Sequence, residues 1–151
     1  MAEDLISDLK VIVFQLNQKE YAIPVSQVRS IEKIIHITRV PHVNPFVKGV
    51  INLRGVVTPL LDLRVRFGME EQSYSDSTRV IIVGDEEKEA GLIVDGANDV
   101  IDIPSSMIEP APEVVGIAAE GFIKGVANLH RRLLILIDLD KILLSNVRKA
   151  L

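Results

Sequence analysis

The sequence predicts an all-β protein built from two related small barrels. Three observations carry this. One stretch occurs twice, the apolar mass is Val, Ile and Leu, and the apolar runs are strand-length and bounded by turn residues. The repeated stretch spans Val47 to Leu63. Lys48-Gly49-Val50-Ile51-Asn52-Leu53 returns as Lys124-Gly125-Val126-Ala127-Asn128-Leu129. Leu60-Leu61-Asp62-Leu63 returns as Leu136-Ile137-Asp138-Leu139, at the same offset of 76 and without a gap. Each copy reads as two strands joined by a short turn, because short β-branched runs bounded by glycine favour strand over helix. Gly55 suits a tight turn. Pro59 cannot donate to a ladder, so its strand is an edge there or carries a bulge. The copies differ at the tip, where Arg54-Gly55-Val56 becomes His130-Arg131-Arg132. A shared body is explained by packing; a tip that differs is free to do something else.

The remaining elements follow in order. Lys10–Asn17 is a strand, Gln18–Glu20 a turn and Tyr21–Ile23 the returning strand. Val25, Val28, Ile31 and Ile35 recur at spacings of three and four, which predicts a short helix over Val25–Ile31. Ile37–Val40 reads as strand, and Pro41 and Pro45 bracket an irregular link. After the first hairpin, Arg64–Phe67 reads as a helical turn, with Asp62 as its N-cap. Gly68–Ser77 is polar and is the best internal boundary. Beyond it, Arg79–Val83 matches Lys10–Phe14 and Glu89–Val94 matches Glu20–Val25, both at an offset of 69. Asp95–Asp99 stands in place of the first helix and Val100–Ile103 is a strand. Pro104–Glu120 reads as a loop, Leu133–Ile137 as a strand buried on both faces, and Asp140–Val147 as a helix with Ile142 and Leu143 facing inward. Each half thus offers about five short strands, and closure into a barrel removes exposed edges.

Composition narrows the function. Of 151 residues, 48% are hydrophobic and only 4% aromatic, and the net charge is −4. A mean hydropathy of +0.28 is high for so small a chain and points to apolar surface that meets partners. No basic stripe suggests nucleic acid. The absence of cysteine excludes disulfides, thiolate chemistry and cysteine-based zinc sites. The N-terminus lacks a signal-peptide pattern, and no apolar run approaches membrane-spanning length. Phosphate-binding, dinucleotide and nucleophile-elbow motifs are missing. His36, His42 and His130 are read as ordinary residues. One enzymatic alternative is an aspartic dyad of Asp62 and Asp138, related by the repeat. Both lie between aliphatic residues rather than in a glycine turn, so the helix-capping reading fits better.

Gly49-Val50-Ile51-Asn52-Leu53-Arg54-Gly55, followed by Pro59 and Asp62-Leu63, resembles the CheW-like family of bacterial chemotaxis adaptors. Gly91-Leu92-Ile93-Val94-Asp95-Gly96, Val100, Pro110-Ala111-Pro112-Glu113 and Leu133–Leu139 extend the likeness over roughly residues 10–145. The resemblance implies two SH3-like five-stranded β-barrels packed through a hydrophobic interface, with short helices. The expected organisation is one CheW-like domain over 1–151. Its barrel halves, 10–68 and 78–145, exchange strands and do not fold independently. It further implies no enzymatic activity, no cofactor and no metal. The expected partners are the cytoplasmic tips of chemoreceptors, the regulatory domain of the histidine kinase CheA, and other CheW copies in arrays. The expected location is the cytoplasm, recruited to membrane-bound receptor arrays without membrane insertion. Receptor contact carries over to Val28, Lys48, Gly49, Arg54, Gly55, Gly91 and Val100. The three glycines have backbone shape as an alternative role. Contact with the kinase or a neighbouring adaptor carries over to Glu109, Pro110 and Val114. Ser30, Ala97 and Glu109 depart from the family pattern, which puts receptor preference and the charge of the kinase contact in question. The alternative binding reading is a kinase regulatory domain made as a separate chain.

Overall fold

Most strands of this protein are buried on both faces, which is why their sequences are apolar almost without interruption. The computed structural model describes residues 8–34, 36–41, 43–84, 88–110 and 121–143. These form β1 (Asp8–Leu16), β2 (Lys19–Pro24), β3 (Val28–Lys33), β4 (Val47–Leu53), β5 (Val56–Asp62), β6 (Arg79–Gly84), β7 (Glu89–Val94), β8 (Gly96–Pro104), β9 (Ile108–Pro110), β10 (Ile123–Leu129) and β11 (Arg132–Ile137). Two short helices follow the repeated hairpins, α1 (Leu63–Arg66) after β5 and α2 (Leu139–Leu143) after β11.

One sheet has the order β3-β6-β7-β5-β4 and the other β8-β1-β2-β11-β10-β9. Pairing is antiparallel except for β5 with β7 and β2 with β11. Both sheets curl shut. In the first, barrel I, the chain beyond β3 returns and Thr38 bridges Val50 on β4. In the second, barrel II, β8 and β9 are one stretch broken by a 3-10 turn at Ser105–Met107, and it stands at both ends of the sheet. Each barrel therefore combines hairpins from both halves of the chain. β6–β7 joins β4–β5, and β1–β2 joins β10–β11. The registers repeat as well. Leu60 lies opposite Gly91 in barrel I, and Leu136 opposite Ala22 in barrel II, which reproduces both sequence offsets.

Alternation along the strands divides the core in three. Val11, Val13, Ala22, Ala127, Leu134 and Leu136 fill barrel II, and Ile51, Leu60, Val80, Ile82 and Ile93 fill barrel I. The intervening residues, including Ile12, Phe14, Tyr21, Leu61, Ile81, Leu92, Ile135 and Ile137, face outward from their barrels and form the largest cluster, between them. A stacked aromatic run, Phe14–Tyr21 and Phe67–Phe122, lies in that seam.

Several local expectations are corrected. Val25–Ile31 is no helix. Only Val25–Gln27 forms a 3-10 turn, and β3 follows with strictly alternating burial. The helical spacing arose from two inward positions and an outward Ile31, and the ladder to β6 satisfies the backbone instead. Ile37–Val40 reduces to the single Thr38 bridge. Gly96–Asp99 belongs to β8, and Ile108–Pro110 is a strand within the expected loop. Leu133 is exposed, so its strand is buried on both faces only from Leu134 on. Pro59 stands just before the ladder to β7 begins at Leu60, an edge position as expected. Ile35, His42 and residues 144–147 lie outside the described residues.

Candidate functional site

The tip of the β4–β5 hairpin is a two-residue turn between paired Leu53 and Val56. Arg54 and Gly55 both take positive φ, 51° and 85°, the twist a tight hairpin requires. Asn52 braces it, its Oδ1 accepting from the Gly55 N–H at 2.9 Å. The Arg54 guanidinium stands out into solvent, and its nearest carboxylate among the described residues is Glu32 on β3 at 3.9 Å. Lys48 is the extra residue of a β-bulge, between the Val47–Leu61 and Gly49–Leu60 pairs. It forms an ion pair with Glu71. Lys124 occupies the same bulge in barrel II. Bulges re-aim side chains, and both copies keep this one.

The sequence-derived receptor residues separate by burial and by barrel. Lys48, Arg54, Gly55 and half-buried Val28 lie on barrel I; Val100 is exposed on β8 of barrel II. Gly49 and Gly91 are interior. A Cβ on Gly49 would overlap the Thr38 carbonyl that closes barrel I, and one on Gly125 would lie 2.6 Å from the Glu109 oxygen that closes barrel II. A Cβ on Gly91 would lie 2.6 Å from Val80 inside the barrel. These glycines shape the barrels, and the repeat at Gly49/Gly125 was the signal for it. Glu109 and Pro110 are exposed on β9; Val114 lies outside the described residues.

Each barrel also has an exposed apolar face, of which residue-by-residue reading had singled out only Val100. Barrel I presents Ile31 and Val57, with Val56 exposed on the other side of β5; barrel II presents Val100 and Leu133. Ile31 and Val100 are counterparts at offset 69, and Val57 and Leu133 at offset 76. The chemistry around them differs. In barrel II, Arg132 donates to both oxygens of Glu20, at 2.8 and 3.1 Å, and to Asp99 at 2.8 Å. Its hydrogen bonds to Glu20 and Asp99 raise the Arg132 pKa. The barrel I counterpart of Arg132 is Val56, that of Asp99 is Ser30, and Glu89 pairs with Arg29 at 2.6 Å. Ser30 Oγ is left buried without a partner among the described residues. The positions next to these exposed residues, which point to the other side of their strands, are thus bridged by an arginine in barrel II and not in barrel I.

Asp62 caps α1, its Oδ1 accepting from the Arg64 and Val65 N–H groups at 3.0 and 3.4 Å. Its Oδ2 accepts from the Tyr74 hydroxyl at 3.2 Å. Burial raises its pKa against these hydrogen bonds. Asp138 caps α2 through the Lys141 N–H at 3.2 Å. Each aspartate is engaged in its own cap rather than in a shared dyad. No helix among the described residues is long and apolar enough to cross a membrane.

A family model for the CheW-like domain matches residues 10–146. The chain belongs to the CheW-like family. Its sequence is 48% identical over 143 residues to the chemotaxis protein CheW of Bacillus subtilis, covering 95% of this chain and 92% of that one. It is 38% identical over 134 residues to the CheW of Klebsiella aerogenes, covering 89% and 81%. Among solved structures it is similar to the scaffolding protein TtCheW of Thermoanaerobacter tengcongensis, with a TM-score of 0.85 at 36% identity, covering 93% and 95% of the two chains. The two-sheet, mostly β architecture is that of this CheW-like neighbour.

Proposed function

We propose that this chain is a non-catalytic chemotaxis adaptor that couples the cytoplasmic tips of chemoreceptors to the histidine kinase CheA through the kinase's regulatory domain. The observation that supports it is that Val28, Lys48 and Arg54 lie on one barrel and Glu109 and Pro110 on the other, with the two barrels joined by a continuous core. A protein with contact residues on each of two joined barrels can hold two partners at a set spacing. That the structural relative is a scaffolding protein, and that the match spans most of the length of the CheW relatives, favours an adaptor over a separated kinase domain. The Asp62–Asp138 hydrolase alternative loses its motivation once each aspartate is accounted for as a cap.

In this reading Arg54 offers a planar donor fork to a receptor helix hairpin, with Lys48 and Val28 on the same barrel and Val100 extending the contact. Glu109 and Pro110 on β9 meet the kinase or a neighbouring adaptor. The protein acts in the cytoplasm at receptor arrays. An NMR titration of labelled protein with a receptor-tip fragment, then separately with the kinase regulatory domain, tests this. Two distinct sets of shifted residues are expected, the receptor set including Val28, Lys48 and Arg54. Arg54→Asn keeps a residue tolerant of positive φ and removes only the guanidinium. It is expected to fold normally and to bind the receptor fragment at least about ten-fold more weakly, the scale of a lost charged hydrogen bond. Undiminished binding by Arg54→Asn removes Arg54 from the receptor face. Absence of shifts with a functional fragment removes the receptor half of the proposal.

A further inference from the structure

Helix α1 is one turn long, yet both of its arginines reach toward barrel II. Arg64 is buried and grips Asp95, the residue between β7 of one barrel and β8 of the other, through Nε at 2.9 Å and Nη2 at 2.7 Å. Asp95 in turn accepts from the Asn17 N–H of the β1–β2 turn at 2.8 Å and donates its own N–H to Gln15. Arg66 lies on the other side. Its guanidinium is sandwiched between the rings of Phe46 and Phe122, 4.6 and 4.3 Å from their centroids. Its Nε donates to the Ile142 carbonyl at 3.1 Å.

The numbering of these partners is informative. Phe46 precedes β4 and Phe122 precedes β10, and they are counterparts at the repeat offset of 76. Their carbonyls accept equivalent bonds, from the Asp62 and Asp138 N–H groups at 2.7 and 2.8 Å. Ile142 is the counterpart of Arg66 itself, 76 residues away. Arg66 therefore sits where each repeat meets its own equivalent, on the line that relates the two barrels. A position on such a line has room for one long side chain, and only one copy supplies it. The second copy has Ile142 for Arg66 and Asp140 for Arg64. The surrounding seam is aliphatic and aromatic, and apolar burial is non-directional, so it resists separation far better than rolling. A planar cation held between two rings and tied to a carbonyl has a defined orientation.

We infer that α1 is an inter-barrel clamp, with Arg66 as a positioning residue that sets the angle between the two exposed faces and hence the geometry in which two partners are held. The second half of this statement rests on the adaptor reading; the first does not. The test uses the full chain and residual dipolar couplings, fitted separately for each barrel. In the parent protein the two barrels give one common alignment. Arg66→Met keeps an unbranched apolar side chain in the seam and removes the cation and the Nε donor. The expected result is divergent or scaled-down alignment between barrels, with each barrel still internally consistent. Arg66→Lys keeps the charge without the planar fork and is expected to restore part of the common alignment. It also supplies the decisive comparison if Arg66→Met does not fold. Receptor-fragment binding is expected to weaken about five-fold or more in Arg66→Met, as when the competent angle falls to a fifth of the population. A common alignment retained in Arg66→Met, or in Arg66→Lys if only that folds, overturns the clamp. A loosened alignment with unchanged receptor affinity overturns its positioning role. If the parent protein binds no receptor fragment, the adaptor reading fails and the couplings alone decide the clamp.

Discussion

Single residues in the seam between the barrels are held by packing more than by polar bonds. Tyr21 is fully buried between Phe14 and Phe67, and its hydroxyl has no partner among the described residues. An unpaired buried hydroxyl opposes folding, so Tyr21→Phe should leave urea stability unchanged or raise it by about 1–2 kcal/mol. A clear loss would show that the hydroxyl is bonded. Burial also pushes the Tyr21 pKa from 10.0 up to about 12. Between those values the unfolded chain has released the proton and the folded chain still holds it, so stability falls as pH rises through that window. Tyr21→Phe should flatten this alkaline slope. A residual slope is expected from Tyr74, whose pKa burial also raises, with the Asp62 carboxylate adding to the shift. Ser30 is the other orphan among the described residues, and Arg132, the partner of its barrel II counterpart Asp99, is replaced in barrel I by Val56.

At the scale of elements, the repeated hairpin is a closure device as well as a pair of strands. Its bulge and its glycine sit where the returning chain seals each barrel, Thr38 against Val50 and Glu109 against Val126. Gly49→Ala would push a methyl group into a backbone carbonyl that cannot step aside. A loss of about 2–4 kcal/mol in chemical denaturation is expected, the range of strained or overpacked core substitutions. Gly55→Ala meets open space at φ 85° and should cost only about 1–2 kcal/mol of backbone strain. Equal losses at the two positions would contradict the closure role. The hairpin bodies, the caps at Asp62 and Asp138 and the strand-length runs were legible because each is a local pattern. β3 was not, because its apolar spacing fits a helix and only the ladder to β6, supplied from the other half of the chain, decides for strand.

At the scale of the whole molecule, neither half of the chain contains a complete barrel. β1–β2 depends on β10–β11, and β4–β5 depends on β6–β7. A chain divided within Gly68–Ser77 should give two fragments that are largely unfolded apart and that regain native amide dispersion when mixed. A folded monomeric fragment would refute this. The double repeat was readable in the sequence, and its two different offsets, 76 and 69, already reflected two separately paired sets of hairpins. The faces were only partly readable. Arg54 and Val100 stood out, but Ile31, Val57 and Leu133 look like core residues until the strand register turns them outward. The arginines of α1 gave no signal, since their partners come from distant segments.

Strand exchange also sets an order of events on the ribosome. Barrel I has all its strands once β7 has emerged, whereas β2 must wait for β11, whose Arg132 meets Glu20 across 112 residues of chain. During that interval the first hairpin has β8 along β1 and barrel I against one face, but its β2 edge lacks its permanent neighbour. A growing chain with that edge open is a natural client for holding factors, and β2, one of the earliest strands made, is fully paired only at the end.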